Sequence, residues 1–472
     1  MKNCFYIVEI ILLLIFPSLI TSEKILFAWQ IHRHGARAPY NDIVNNTDIY
    51  KEHWLEKEEL TNVGKRMLYL LGVKANKRYV GEGKLLNKTY SPQEILIRST
   101  DVNRTIESVE SFIQGLYPAG TGPVLKKDIA NNNDISYPPN KLYKDKFAEI
   151  INKYNLNGDN NFALPHRMNI LPIHLFYKPA HEFELYSTSL CKGHLEIYKQ
   201  QLARPEIKQF GEKLITKFTN VFQYLEGTND TNILYDYWSL YKYSDTFIVD
   251  KRDERNFDIL KQKFQFDQER FDELQNYSKK YLFMDYSETN YPKAHPEIPI
   301  MALSYTMHSL IHWMKEAKDG YEQNKRYIKY VVYSAHDASI GALEYFMENA
   351  FKDYNVTAEY AELAESRFLE FYLDNDGKYR VRYLKGNSDI PKLNITFDDF
   401  ENIIDKNTWS DEKVAEYCKF NEKEEKKEET EEPKEEKKVS ILFITMIILN
   451  VVVVALIIIL VVILCKKTKH ID

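Results

Sequence analysis

The sequence predicts an α/β protein: a three-layer α/β domain with a mostly parallel sheet, an inserted and mostly helical second domain, and a single C-terminal transmembrane helix. Three observations predict it. Short apolar runs of strand type alternate with helix-like segments, the signature of a largely parallel sheet. Polar clusters fall at the carboxyl ends of those runs, where open α/β sheets take their ligands. Finally, one long apolar stretch lies near each end of the chain.

Residues 1–22 start with Lys2, continue through "IILLLIFPSLI" and reach the small polar Thr21 and Ser22, a secretory signal pattern. "KILFAWQI" (Lys24 to Ile31) follows as a buried strand, with "HRHGARAP" as the loop at its carboxyl end. "LTNVGKRMLYLLGVKANKRY" predicts a helix with Thr61 as cap and Val63, Met67, Leu70 and Leu71 on its buried face. "EILIRST" (Glu94 to Thr100) is the second strand, and "DVNRTIESVESFIQGL" the second helix, capped near Asp101. Residues 131–295 change character: long, polar, Tyr-rich segments of helical type without a clean strand, read as the inserted helical domain roofing the site. "RYIKYVVYSAHD" (Arg326 to Asp337) returns to the sheet with "ASIGALEYFMEN" behind it, and "RFLEFYL" and "KYRVRYL" form a hairpin around "DNDGK". The α/β domain is thus expected in two pieces, 23–130 and 296–420.

Residues 421–438 carry mixed charge with no apolar period, a solvated stalk. Residues 439–464 are apolar apart from Ser440, Thr445 and Asn450, long enough to span a bilayer, and the tail 465–472 begins with lysines. Together these describe a single-pass type I membrane protein. The expected location is the plasma membrane, a lysosome or another acidic vesicle, with the large domain lumenal or extracellular. Sequons at Asn45, Asn87, Asn103, Asn229, Asn276, Asn355 and Asn394 fit that route and a glycoprotein, although Asn103, inside "STDVNRT", is expected to stay unmodified. Cys4 leaves with the signal and Cys465 sits at the membrane edge, so Cys191 and Cys418 could form one disulfide. With 44% hydrophobic and 14% aromatic residues the 472-residue chain is globular, and its net charge of -6 excludes a basic field for nucleic acid. A homodimer is left open.

The polar clusters are Arg33-His34-Arg37, Arg98-Asp101 and His336-Asp337. Taken singly, "HRH" is more often a solvated loop and "HD" a helix cap. Arginine forks match phosphate oxygens, so Arg33, Arg37 and Arg98 from two strand ends could converge on a phosphate monoester. A neutral His34 could attack phosphorus, Asp337 could protonate the leaving oxygen, and His336 could donate to an equatorial oxygen. The arginines would neutralise the charge, so neither metal nor cofactor is required, and no P-loop, HExxH or zinc spacing is present. The fixed positions of RHGxRxP arise by chance in only about one such chain in 10^4.

"RHGARAP", "LTNVG", "IRSTDVNRT" and "YSAHD", in that order, resemble the histidine acid phosphatases, a branch of the phosphoglycerate-mutase-like superfamily, from Lys24 to Phe420. That resemblance implies an α/β domain with a helical insert and the site between them. It implies His34 as the phosphorylated nucleophile, Arg33, Arg37, Arg98 and His336 as phosphate ligands, and Asp337 as proton donor. Animal members carry several disulfides where this chain can form one, and the tail "KKTKHID" has no tyrosine-based sorting signal. The implied function is an acid phosphatase of broad phosphomonoester specificity acting through a phosphohistidine. The alternatives are an inositol-polyphosphate phosphatase (phytase) or a receptor on the same fold.

Overall fold

The computed structural model describes residues 23–39, 57–125, 162–176, 191–226, 267–282 and 297–418 except 387, with the isolated residues 245, 249, 262, 264, 265, 286 and 295. The leader, stalk, apolar run and tail lie outside these residues. Among the described residues no helix is long and apolar enough to cross a membrane.

Seven strands form one sheet in the order β3-β2-β4-β1-β5-β6-β7. They are β1 (Lys24–Arg33), β2 (Ile95–Thr100), β3 (His174–Phe176), β4 (Tyr330–Ala335), β5 (Ser366–Leu373), β6 (Tyr379–Lys385) and β7 (Leu393–Thr396). The first four are mutually parallel, while β5, β6 and β7 add on antiparallel as the predicted hairpin and one further strand. β4 comes late in the chain yet inserts between β1 and β2. The carboxyl ends of all three, each with its polar cluster, therefore become neighbours. β3 is a strand inside the span expected to be helical; three residues of mixed type give too little period to read.

Helices cover both faces. α1 (Asn62–Tyr79) and α2 (Asn103–Leu116) lie on one side, where Leu68, Tyr79, Phe112 and Leu116 pack against Ala28, Ile97, Tyr330 and Val332. Thr61 caps α1 as predicted, its hydroxyl accepting from the Gly64 N–H at 3.1 Å. The buried face matches the predicted one in part: Leu71 is buried and Met67 packs partly buried against the core, but Val63 and Leu70 are 39% and 55% exposed, and the stripe runs through Gly64, Leu68, Leu71, Gly72, Ala75 and Tyr79. Glycine lets the helices touch, since a Cβ on Gly72 would lie 2.0 Å from the Phe112 carbonyl. α2 starts at Asn103 without a side-chain cap; Asp101 is exposed, and the Thr105 hydroxyl donates within the first turn instead.

The span 131–295 contributes α3 (Lys192–Leu202), α4 (Pro205–Glu226) and α5 (Gln268–Leu282) among the described residues. Against the other sheet face lies α6 (Glu297–Glu322), whose Trp313 meets Phe27 and Tyr333. α7 (Asp337–Ala350) leaves β4, and α8 (Phe397–Asn407) and α9 (Asp411–Cys418) close the described fold. Burying side chains such as Phe27, Trp29 and Met307 stabilises by about 1.5–3 kcal/mol each. Cys191 and Cys418 are joined across 227 residues and tie the start of α3 to the end of α9.

Candidate active site

β1 runs two residues beyond the predicted strand and delivers Arg33 and His34 at its end. The loop stays in register, because the His34 N–H donates to the Ala335 carbonyl and the His34 carbonyl accepts from the Ala364 N–H, both at 3.0 Å. Gly35 then touches the start of α1: a Cβ there would sit 2.5 Å from the Gly64 carbonyl, and one on Gly64 would sit 2.1 Å from that of Ala36. The glycine of "RHG" thus serves close approach of two backbones, and that of "NVG" is its counterpart.

His34 is buried, and its Nδ1 lies 2.9 Å from the Gly35 carbonyl. A carbonyl only accepts, so Nδ1 carries the proton and Nε2 keeps its lone pair. Burial, followed by the charges of Arg37, Arg33, Arg104 and His336, holds the imidazole pKa well below 6.5. The ring is therefore neutral even in mild acid. His336 lies T-shaped to it with centroids 5.7 Å apart, and its Nε2 is 3.0 Å from the Thr100 hydroxyl. Burial and then Arg104 lower its pKa too, against the opposing pull of Asp337.

Asp337 opens α7 and meets Arg33 at 2.7 Å, while its Oδ1 accepts from the Ala338 N–H at 2.9 Å. It is thus a helix-end acceptor and an ion-pair partner at once. Burial pushes its pKa up, but Arg33, His336, Arg37 and the Ala338 N–H outweigh that and leave it below the usual carboxylate value. Arg33 also donates to the Tyr360 hydroxyl at 2.8 Å and the Ala361 carbonyl at 3.0 Å. The segment carrying Tyr360 is pinned from below by buried Glu344, which accepts from the Glu359 N–H, Lys385 and Arg367.

Arg37 is buried and forks onto Asp245 of the insert at 2.7 and 3.0 Å. Arg98 departs from expectation. In register with Tyr333, it stacks its guanidinium on Phe176 of β3, 3.5 Å from the ring centroid. The arginines that weigh most on His34 are Arg37, Arg33 and Arg104. Arg104, the second residue of α2, pairs with Glu58 at 2.6 Å. The motif "STDVNRT" holds both arginines, and the deciding signal was position: Arg98 precedes the end of β2, whereas Arg104 starts the following helix. Sequence reasoning also missed Thr100, Tyr360, Asp245 and Glu58, none of which stands in a charged cluster on β1 or β4. His32, near the end of β1, stacks on Phe112 on the α1/α2 face at a centroid distance of 5.5 Å. Among the described residues no group of His, Cys, Asp and Glu could hold a metal ion.

A neutral histidine that feels the charges of three arginines thus stands near a carboxyl group at a helix start. The family model of the histidine phosphatase superfamily (branch 2) matches residues 24–385, and the chain belongs to that family. It is 24% identical over 381 residues to the lysosomal acid phosphatase of Xenopus laevis, covering 80% of this chain and 73% of that protein. It is 33% identical over 100 residues to human prostatic acid phosphatase, covering 21% of this chain and 25% of that one. The fold matches the phytase of Citrobacter braakii with a TM-score of 0.52 at 11% identity, over 84% of this chain and 99% of that one.

Proposed function

We propose that the protein is an acid phosphatase that hydrolyses phosphate monoesters through a phosphohistidine on His34. The single observation that carries this is the Nδ1 contact to the Gly35 carbonyl, which leaves Nε2 unprotonated on a buried ring that feels the charges of Arg37, Arg33 and Arg104. The arginines and His336 hold the phosphoryl oxygens, and Nε2 attacks phosphorus as the ester P–O bond breaks. Asp337 gives its proton to the departing oxygen. In the second half a water attacks the phosphoryl group, Asp337 takes the water's proton, and the P–N bond breaks to return His34 and release inorganic phosphate. At rest Asp337 is held ionised by Arg33. A monoester's second pKa is about 6, so in mild acid the substrate arrives with a proton. Transfer of that proton to Asp337, as Arg33 turns to the phosphoryl oxygens, readies the acid.

Shared fold with phytases at 11% identity carries no substrate with it. The inserted span 131–295, with Asp245, is the roof of this site in our reading. The leader and the apolar run 439–464 support a type I membrane anchor with the site on the lumenal or extracellular side.

The test uses full-length protein and radiolabelled phenyl phosphate. Rapid quenching should trap phosphate in an acid-labile, base-stable adduct on His34, and His34→Ala should lose both label and turnover. Normal turnover by that variant would refute the mechanism.

A further inference from the structure

Among the described residues, each of the three arginines that weigh on His34 pairs with a carboxylate. Arg33 pairs with Asp337 at 2.7 Å, Arg37 with Asp245 at 2.7 Å and Arg104 with Glu58 at 2.6 Å. Formally the three cations and three anions cancel. Asp337 has a chemical task, but Asp245 and Glu58 have none in the reaction. Neither belongs to the strands that build the site. Asp245 comes from the insert with its side chain 5% exposed, and Glu58 sits at the rim, 33% exposed. Glu58 is held there by backbone pairing of its segment to the nucleophile loop, through Glu58 N–H to Pro39 and Ala38 N–H to Glu59.

Two such carboxylates oppose the attraction of the arginines for anions. One phosphoryl group gains direct, charge-assisted bonds in the pocket, where contact outweighs the net field. Further phosphoryl groups on the same molecule would lie outside those contacts and feel only the summed charge. With the arginines cancelled, that charge no longer attracts, and beside Glu58 at the rim it repels.

We propose that Glu58 and Asp245 are specificity-determining residues that restrict the site to substrates carrying a single phosphoryl group and turn away polyanions. The inference rests on the phosphatase reading of the site. It differs from a mere holding role, because holding the arginines would affect all anions alike.

The experiment is equilibrium binding by calorimetry to full-length protein, which needs no turnover. The ligands are inorganic phosphate and myo-inositol hexakis sulphate, a polyanion that is not a phosphate ester. Glu58→Gln and Asp245→Asn each remove one negative charge and keep a polar side chain for the arginine. Each should raise the affinity for the hexakis sulphate relative to phosphate by about tenfold at low ionic strength, with the gain shrinking as salt is added. Glu58→Asp, which keeps the charge, should leave the ratio unchanged. A constant ratio in the two neutral variants, or equal weakening of both ligands, overturns the proposal and leaves a holding role. If Asp245→Asn fails to fold, Glu58→Gln at the rim decides alone. Absence of any phosphatase activity would instead count against the proposed function and leave these ratios readable.

Discussion

His32 provides a measurable link between burial and acid tolerance. It is fully buried and stacked on Phe112; its Nδ1 contacts only the neighbouring Arg33 carbonyl, and its Nε2 has no partner among the described residues. Burial lowers its pKa from 6.5 to about 4, with the backbone contact opposing weakly. A group with a depressed folded pKa binds fewer protons when folded, so stability is intact above the unfolded value of 6.5 and is lost as pH falls toward about 4. At about pH 4.5 the unfolded imidazole is almost fully charged and the folded one mostly neutral, which costs the native state about 2.5 kcal/mol relative to pH 7.5. His32→Leu removes the titration and keeps an apolar side chain against Phe112. Unfolding free energies from urea titrations at the two pH values should therefore converge by about 2.5 kcal/mol in the variant. The other buried histidines contribute to both proteins and drop out of the difference. An equal acid loss in wild type and variant would show that His32 is charged or solvated in the folded state, and the burial reasoning would fail.

Arg104→Ala should weaken inhibition by inorganic phosphate roughly 10- to 150-fold, the worth of a charge-assisted bond of about 1.5–3 kcal/mol, while Arg98→Ala leaves it within twofold or so. Inhibition constants in the reverse order would return Arg98 to the site. Asp337→Asn should cut kcat for alkyl phosphates by about 10^2–10^4 and much less for p-nitrophenyl phosphate, whose leaving group needs no proton. Equal losses on both substrates with a lower Tm would assign Asp337 to the helix end alone.

The sheet was legible because three of its strands are apolar runs that end in charge, and burial on both faces writes such runs plainly. Arg33, His34, His336 and Asp337 stood out as candidates for the same reason: each stands at or just beyond a strand end. Arg98 misled because sequence distance from a strand end does not tell which sheet face a side chain takes. Its register with Tyr333 turns it toward Phe176, a residue of a strand too short to foresee. The buried face of α1 was legible only in part, at Leu71, because Gly64, Gly72 and Ala75 fill half of it and carry little hydrophobic signal. Asp245 and Glu58 were out of reach, since their partners lie 208 and 46 residues away. Only the folded chain puts those charges together.

The bond between Cys191 and Cys418 has a mechanical consequence. Cys418 ends α9, the last described helix, and Cys191 begins α3, whose Gly193 lies against the Tyr417 carbonyl so closely that a Cβ would be 2.3 Å away. A pull on the chain beyond Cys418 cannot peel α9 away turn by turn, because its final residue is covalently fastened to another part of the fold. The load crosses a sulfur–sulfur bond into α3, sparing the hydrogen bonds of an eight-residue helix. Under reducing conditions the same pull would meet only the hydrogen bonds of α9 and the packing of its buried Val414 and Cys418.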